Sequence, residues 1–551
     1  MLRRPSSALR LRGCAIAVLL ALCASAAPRA QSAVAYTLTF AERERKILQV
    51  AVTFTDVPSG PLQLRVSRSS PGRYALHEFA KNVFDVRATD AGGKPLPIAH
   101  PNPHQWDVSG HAGEVRVTYR VFGDQVDGTY LGINSNHAHI NMPAAIMWAR
   151  GFDQRPITIR FEPPPGASWR VATQLLTGRD ALTFTAPNLQ YLMDSPTELS
   201  AFALRTFTVP DEGRTPVFRV AVHHAGTDAD LDAFVRDVET VVREARYVFG
   251  EYPAFEGNTY TFIADYLPGD VGDGMEHRNS TFLTSPRPLS AGRADHLGGV
   301  SHEFCHAWNV ERIRPASLEP FNFDDVNMSG ELWIAEGFCN YYGSLVLRRS
   351  GLMSVGDYAR DIAAALSTVM TAPGRRVRSA IEMSRLAPFI DGARFADRTN
   401  FGDTYISYYT WGEALGVGLD LTLRDRSDGR VTLDDYMRAL WAMFGRSAAQ
   451  RSGYVASPYT NADLERTLAE VSGDATFAKE FFDRYVEGHD VVDYARLLSR
   501  AGLVFRPRAT AAGKSSGDFE VVLSEDAGQP LTEAQRRFRD AWLSSGARNV
   551  F

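Results

Sequence analysis

The pentad His302-Glu303-Phe304-Cys305-His306 constrains this chain more than any other feature. On a helix, two histidines four residues apart share one face a turn apart, so both imidazoles can hold a single metal ion. Glu303 then lies about 100° round the helix, beside that face. It can reach a metal-bound water without being a ligand. Zinc lowers the pKa of such a water, and the glutamate takes its proton. The preceding run Gly298-Gly299-Val300-Ser301 offers Ser301 or a glycine as the helix start. The competing reading is a helix with two surface histidines.

Zinc needs a third protein ligand. The run Trp333-Ile334-Ala335-Glu336-Gly337-Phe338 embeds an acid in an apolar helical turn. A lone carboxylate there is costly unless paired or metal-bound. Glu336 on a second helix completes a His, His, Glu set and leaves the fourth position to water. The alternatives are a surface acid or a salt bridge to Arg312 or Arg314. Upstream lies Gly272-Asp273-Gly274-Met275-Glu276-His277. Glycine beside an acid lets backbone approach a ligand closely, and a carboxylate near a peptidase zinc site suits a free α-amino group. The plainer reading is a polar loop. His137 and His139 alternate in a strand-like run and face one side; lining a cleft or sheet is favoured over a second metal site. His223 and His224 are adjacent and face apart, so they imply no shared metal. Asp324 and Asp325 read as a solvated loop or as partners of a metal ligand.

The rest of the chain supplies a scaffold of several units. Its 551 residues are 44% hydrophobic and 22% charged, which excludes a disordered or coiled-coil chain. The net charge of −5, with no long basic run, argues against nucleic acid as a partner. Residues 33–205 read as a β-domain: Leu48, Val50, Val52 and Phe54 alternate with polar or small residues, as do Val115, Val117, Tyr119 and Val121. From Leu231 to Val248 the period becomes helical, with Asp228 or Asp230 as cap and Gly250 as stop. A short strand follows at Tyr260–Ile263. Helical patterns dominate from about 290 to 500, including Thr432–Phe444 with Thr432 as cap. The segment 507–518 reads as a linker, and Thr532–Leu543 as a final amphipathic stretch.

Residues 1–30 carry Arg3, Arg4, Arg10 and Arg12, then an apolar run from Cys14 to Ala24, then small residues. This order predicts a secretory signal peptide cleaved after Ala26 or Ala30, and a periplasmic or extracellular enzyme without a membrane span in the mature chain. Leu22 before Cys23 argues against a lipoprotein signal. Cleavage would leave Cys305 and Cys339 as the remaining cysteines.

Together these motifs resemble the glycyl aminopeptidase family of zinc metallopeptidases, gluzincins related to aminopeptidase N. The likeness is carried by His302–His306 running on through Trp308, Asn309 and Glu311 to Pro315, by Glu336-Gly337-Phe338 with Tyr341-Tyr342, and by Gly274-Met275-Glu276-His277. Pro71-Gly72-Arg73-Tyr74, Glu78–Val83, His137–Asn141 and Asp194-Ser195-Pro196 look like the family's N-terminal domain. The resemblance implies an α+β multidomain chain: the N-terminal β-domain at 33–205, a thermolysin-like catalytic domain at 206–412, and a C-terminal α-helical region at 413–505. It implies one Zn2+ per chain on His302, His306 and Glu336, with Glu303 as general base and then acid. Glu276, with Gly274 and Met275, would bind the substrate's N-terminus. Tyr409 would donate to the oxyanion, with Tyr408 as fallback. The substrates would be peptides with a free N-terminus, glycine or alanine first. Rival readings are an endopeptidase of the same chemistry and a catalytically silent periplasmic peptide-binding protein.

Two departures from the family stand out. Residues 305 and 339 are commonly other types in relatives. Each lies three residues after a zinc ligand, so a disulfide behind the zinc site is one expectation and two free thiols the other. Relatives also usually carry a PDZ domain. The chain between Phe505 and Phe519 is too short for one, and 506–551 reads as a linker and a remnant tail, so peptide capture by strand addition should not be inherited.

Overall fold

The computed structural model describes Met1 and residues 32–211, 213–390, 401–449, 451–509 and 515–546. The signal-peptide segment 1–30 lies outside the described residues except for Met1.

Alternating side chains build the N-terminal domain. Val50 pairs with Tyr119 and Val52 with Val117 across antiparallel strands Ile47–Phe54 and Val115–Phe122. These apolar side chains are buried, whereas Arg116 and Thr118 face out. The strands belong to a seven-stranded sheet, in which Val34–Thr39 runs parallel to Ile157–Glu162. Two four-stranded sheets complete the domain, and one apolar core runs through it.

The catalytic sheet has five strands in the order Ala203–Thr208, Val217–His224, Thr259–Tyr266, Ser280–Ser285, Asp273–His277. The strand at 203 belongs wholly to this sheet, so the boundary expected at 205 falls a few residues earlier. Helix α1 (Asp228–Phe249) is the crossover between the parallel strands 217–224 and 259–266. Its cap is Thr227, not Asp228 or Asp230. The Thr227 side chain accepts from the Asp230 N–H, and the Asp230 carboxylate accepts from the Thr227 N–H. The strand expected at 260–263 extends over Thr259–Tyr266.

Helix α2 (Arg293–Cys305) carries the first four residues of the pentad and packs on α3 (Gly337–Arg349). It starts at Arg293, so Gly298, Gly299 and Ser301 lie inside the helix rather than at its start. Ser301 Oγ donates to Gly343 O at 2.8 Å, tying the two helices together. The disulfide Cys305–Cys339 joins them as well, with Cα atoms 5.6 Å apart. Helix α4 (Tyr408–Ser427) crosses α3 where Gly337 meets Gly412. A Cβ on either residue would overlap the other's backbone, so both positions need glycine for this close approach.

Two expected boundaries change. Helix α4 runs through 412, and one core joins the catalytic part to the C-terminal helices. A division at 412/413 would cut a continuous element. The 506–551 stretch is more than linker and tail. Strands Leu503–Ala509 and Ser515–Leu523 pair antiparallel, and the second packs on helix Val355–Thr371. Helix Glu533–Leu543 buries Trp542, whose Nε1 donates to Tyr341 Oη at 2.9 Å; that hydroxyl donates to Asp420 at 2.6 Å. The tail is thus anchored to α3, the helix that begins at the third candidate ligand. Among the described residues no helix is long and apolar enough to cross a membrane.

Candidate active site

His302 sits in the last turn of α2 and His306 just past its end. Glu336 occupies the junction between a short helix, Leu332–Ala335, and α3. The three side chains converge. His302 Nε2 lies 3.1 Å from His306 Nε2, and Glu336 Oε2 lies 3.5 and 3.2 Å from those nitrogens. A tetrahedral zinc with bonds of about 2.0–2.1 Å separates its ligand atoms by about 3.3 Å. His306 Nδ1 faces the Asn309 carbonyl at 2.7 Å, and donation there leaves Nε2 free to bind a metal. Glu336 is 1% exposed, and neither of its oxygens has a hydrogen-bond partner. The alternative, a salt bridge to Arg312 or Arg314, does not form: Arg314 pairs with Glu311 and Glu319, and Arg312 with Glu256. These residues fit a zinc ion.

Glu303 is buried beside this set, with Oε2 unpartnered. Its other oxygen lies against Gly274, where any Cβ would overlap it. That contact explains the glycine. Along strand Asp273–His277, Gly274 and Glu276 point to one side and Met275 to the other. Met275 Sδ nonetheless reaches Gly72, where Glu276 Oε2 also lies. The Met275 side chain is fully buried in a small cluster with Phe202, Ile263 and Phe282.

Glu276 is buried, and its carboxylate comes within 4.8 Å of ligand atoms on His306 and Glu336. Tyr74, from the N-terminal domain, donates its hydroxyl to Glu276 Oε1 at 2.9 Å. Arg73 donates to Asp273 at 2.7 Å and to Thr129 at 2.9 Å. The N-terminal domain thus builds one wall of the cleft. The motif Pro71–Tyr74 marks this contact in the sequence, but nothing in it names Glu276 as the partner.

Tyr409, in the first turn of α4, stacks on His302 with centroids 6.1 Å apart. It lines the cleft of about 750 Å³, together with Gly72, Arg73, Gly274, Glu276, Glu303 and Glu336. Tyr408 is fully buried in the core and does not. Asp324 sits away from the metal ligands, bridging Arg65 and Arg150, while Asp325 pairs with Arg68.

The site concentrates negative charge in a dry space. Burial pushes the Glu303 carboxyl well above its usual range; His306 opposes this, and Glu276, Glu336 and Asp273 add to it. Burial pushes Glu276 up to about 8, against His306 and with Glu336. Burial alone would lower His306, but Glu336, Glu276 and Glu303 raise it to about 10. Glu336 is held low despite burial by His306 and His302. A dication here would be the largest local charge and would favour the carboxylate forms.

A helix pair presenting two imidazoles and a buried carboxylate, with a second glutamate one helical step away, belongs to a zinc metallopeptidase. A family model described as the Peptidase M61 N-terminal domain matches residues 35–201, and one described as M61 glycyl aminopeptidase matches 295–415. Together they cover just over half of the chain, which belongs to the M61 glycyl aminopeptidase family. No curated protein matches it. Among solved structures it is similar to an aminopeptidase N family protein from Idiomarina loihiensis. That match has 22% identity and a TM-score of 0.76, over 86% of this chain and 79% of that one. The fold is shared. More distant matches are an M1 zinc metallopeptidase from Deinococcus radiodurans (16% identity, 84% and 95% covered, TM-score 0.47) and native yeast LTA4 hydrolase (14%, 83% and 68%, 0.48).

Proposed function

We propose that this metallopeptidase is an aminopeptidase that releases the first residue of peptides with a free N-terminus, using one catalytic zinc. One observation carries the reading: the Glu276 carboxylate is buried, held by Tyr74, and set beside the three convergent ligands. A fixed carboxylate at that place selects a substrate ammonium.

His302, His306 and Glu336 would hold the ion. Zinc, when bound, supplies Lewis acidity to a water and to the scissile carbonyl. Glu303 takes the proton of the attacking water and later delivers it to the leaving amine. Burial favours its protonated form and so suits that second role. Tyr409 donates its hydroxyl to the developing oxyanion. Glu276 accepts the α-ammonium while Tyr74 keeps the carboxylate aimed. Kinship with the family supports glycine or alanine as the preferred first residue.

The test is a rate profile on free and N-acetylated peptides, with and without chelator. Loss of hydrolysis on acetylation supports the reading; equal rates would establish an endopeptidase. Zinc-loaded protein that bound glycyl and alanyl peptides without cutting them would be a silent binding protein.

We also propose export, with residues 1–30 as a cleaved leader. The disulfide Cys305–Cys339 supports an oxidising compartment. N-terminal sequencing of the exported protein checks it, and an intact Met1 would refute it.

A further inference from the structure

A second convergence of ligand-type side chains lies where the two domains meet. Glu198 pairs with His139 across antiparallel strands Thr197–Ser200 and Ala138–Ile140, so the two share a face; His137, two residues earlier, faces the same way. On the catalytic sheet, His223 pairs with Asp265 across parallel strands, and these also share a face. The two faces meet. His137 Nδ1 lies 3.4 Å from Glu198 Oε1 and 3.9 Å from Asp265 Oδ1. His223 Nδ1 lies 3.6 and 3.4 Å from the same two oxygens. All four ligand atoms fall within 4.8 Å of one another.

These atoms do not satisfy each other. His137 Nδ1, His223 Nδ1, both Glu198 oxygens and Asp265 Oδ1 are buried without a hydrogen-bond partner. The side chains of His137, Glu198 and Asp265 are at most 2% exposed, and that of His223 is 16% exposed. Two carboxylates buried this deeply, of whose four oxygens only Asp265 Oδ2 has a partner, carry a large desolvation cost. The separations are too long for good hydrogen bonds. They are close to the roughly 3.3 Å between ligands on a tetrahedral zinc with bonds of about 2.0–2.1 Å. Two carboxylates also neutralise one dication. His139 fixes the arrangement from outside: its Nδ1 meets Asp265 Oδ2 at 2.6 Å and its Nε2 meets the Asp127 carbonyl at 2.8 Å. Asp265 is thereby left with Oδ1 alone facing the cluster.

We propose that His137, Glu198, His223 and Asp265 form a second zinc site, structural in kind, which clamps the N-terminal domain to the catalytic sheet. Four protein ligands close the coordination shell, leaving no position for water or substrate. The sites share no residue, so they can be emptied separately.

The experiment measures zinc by inductively coupled plasma mass spectrometry on full-length protein, reconstituted with zinc and dialysed against metal-free buffer. Wild type is expected to hold two equivalents. The double variant His302→Ala/Glu336→Ala, stripped of two of the three catalytic ligands, is expected to keep one. The double variant Glu198→Gln/Asp265→Asn is expected to lose one and to unfold at a lower Tm. If the variant stripped of two catalytic ligands holds no zinc, the proposal fails. Should the cluster variant not fold, anomalous diffraction at the zinc edge on wild-type crystals decides. A peak among the four side chains is expected, and its absence would overturn the site.

Discussion

The metal edge of the cleft draws His302, His306 and Glu336 from one short stretch joined by α2 and α3. The amine edge is assembled from afar: Glu276 lies on the catalytic sheet, and Tyr74 reaches it from 202 positions away in the N-terminal domain. The first edge is held by helix geometry, the Ser301–Gly343 hydrogen bond and a disulfide. The second exists only while the two domains are docked. Chemistry and substrate choice therefore rest on different supports, and they should fail separately.

Glu303→Gln should give the largest loss, about 10³-fold in kcat, with zinc content and KM unchanged. Near-normal turnover would remove Glu303 from the chemistry. Tyr409→Phe should cost about 10²-fold in kcat, and an effect confined to KM would place it in binding instead. Glu276→Gln acts on the other edge. KM for free peptides should rise about 10- to 100-fold, the worth of a charge-assisted hydrogen bond, and discrimination against acetylated peptides should vanish. If it slowed both substrates equally, the division between the edges would be broken. Tyr74→Phe should follow with a smaller rise in KM, about fivefold, at constant kcat.

The smallest effect lies earlier on α2, at His296. Burial lowers His296, stacked on Tyr266, to about 4, with Arg287 adding to the shift. A folded-state pKa below the unfolded value means that its stabilising contribution is present above about 6.5 and is lost as pH falls toward 4. His296→Phe should flatten the fall of Tm over that window. An unchanged slope would assign the acid sensitivity to other groups.

Legibility followed the same division. The pentad and Glu336 could be read because helical periodicity converts spacing into direction. The strand alternation of residues 47–54 and 115–121 could be read for the same reason. The resemblance names Gly274, Met275 and Glu276 as one motif, whereas strand alternation starts the Met275 side chain on the face opposite its two neighbours. The spacing of His223 and His224 implies no shared metal, whereas the fold gathers His223 with His137, Glu198 and Asp265 from other strands. The boundary at 412 failed because continuous packing of α4 leaves no local mark.

By itself the sequence determined the local geometry: two imidazoles on one helical face, a glutamate beside them, and β-strands with one apolar side. It could do so because these follow from backbone periodicity. Only the tertiary structure decided which distant groups meet. It set Tyr74 on Glu276, put Gly274 against Glu303, and brought four strand residues together at the domain junction. Such contacts arise from the docking of sheets and helices on a shared core, for which no spacing along the chain is a substitute.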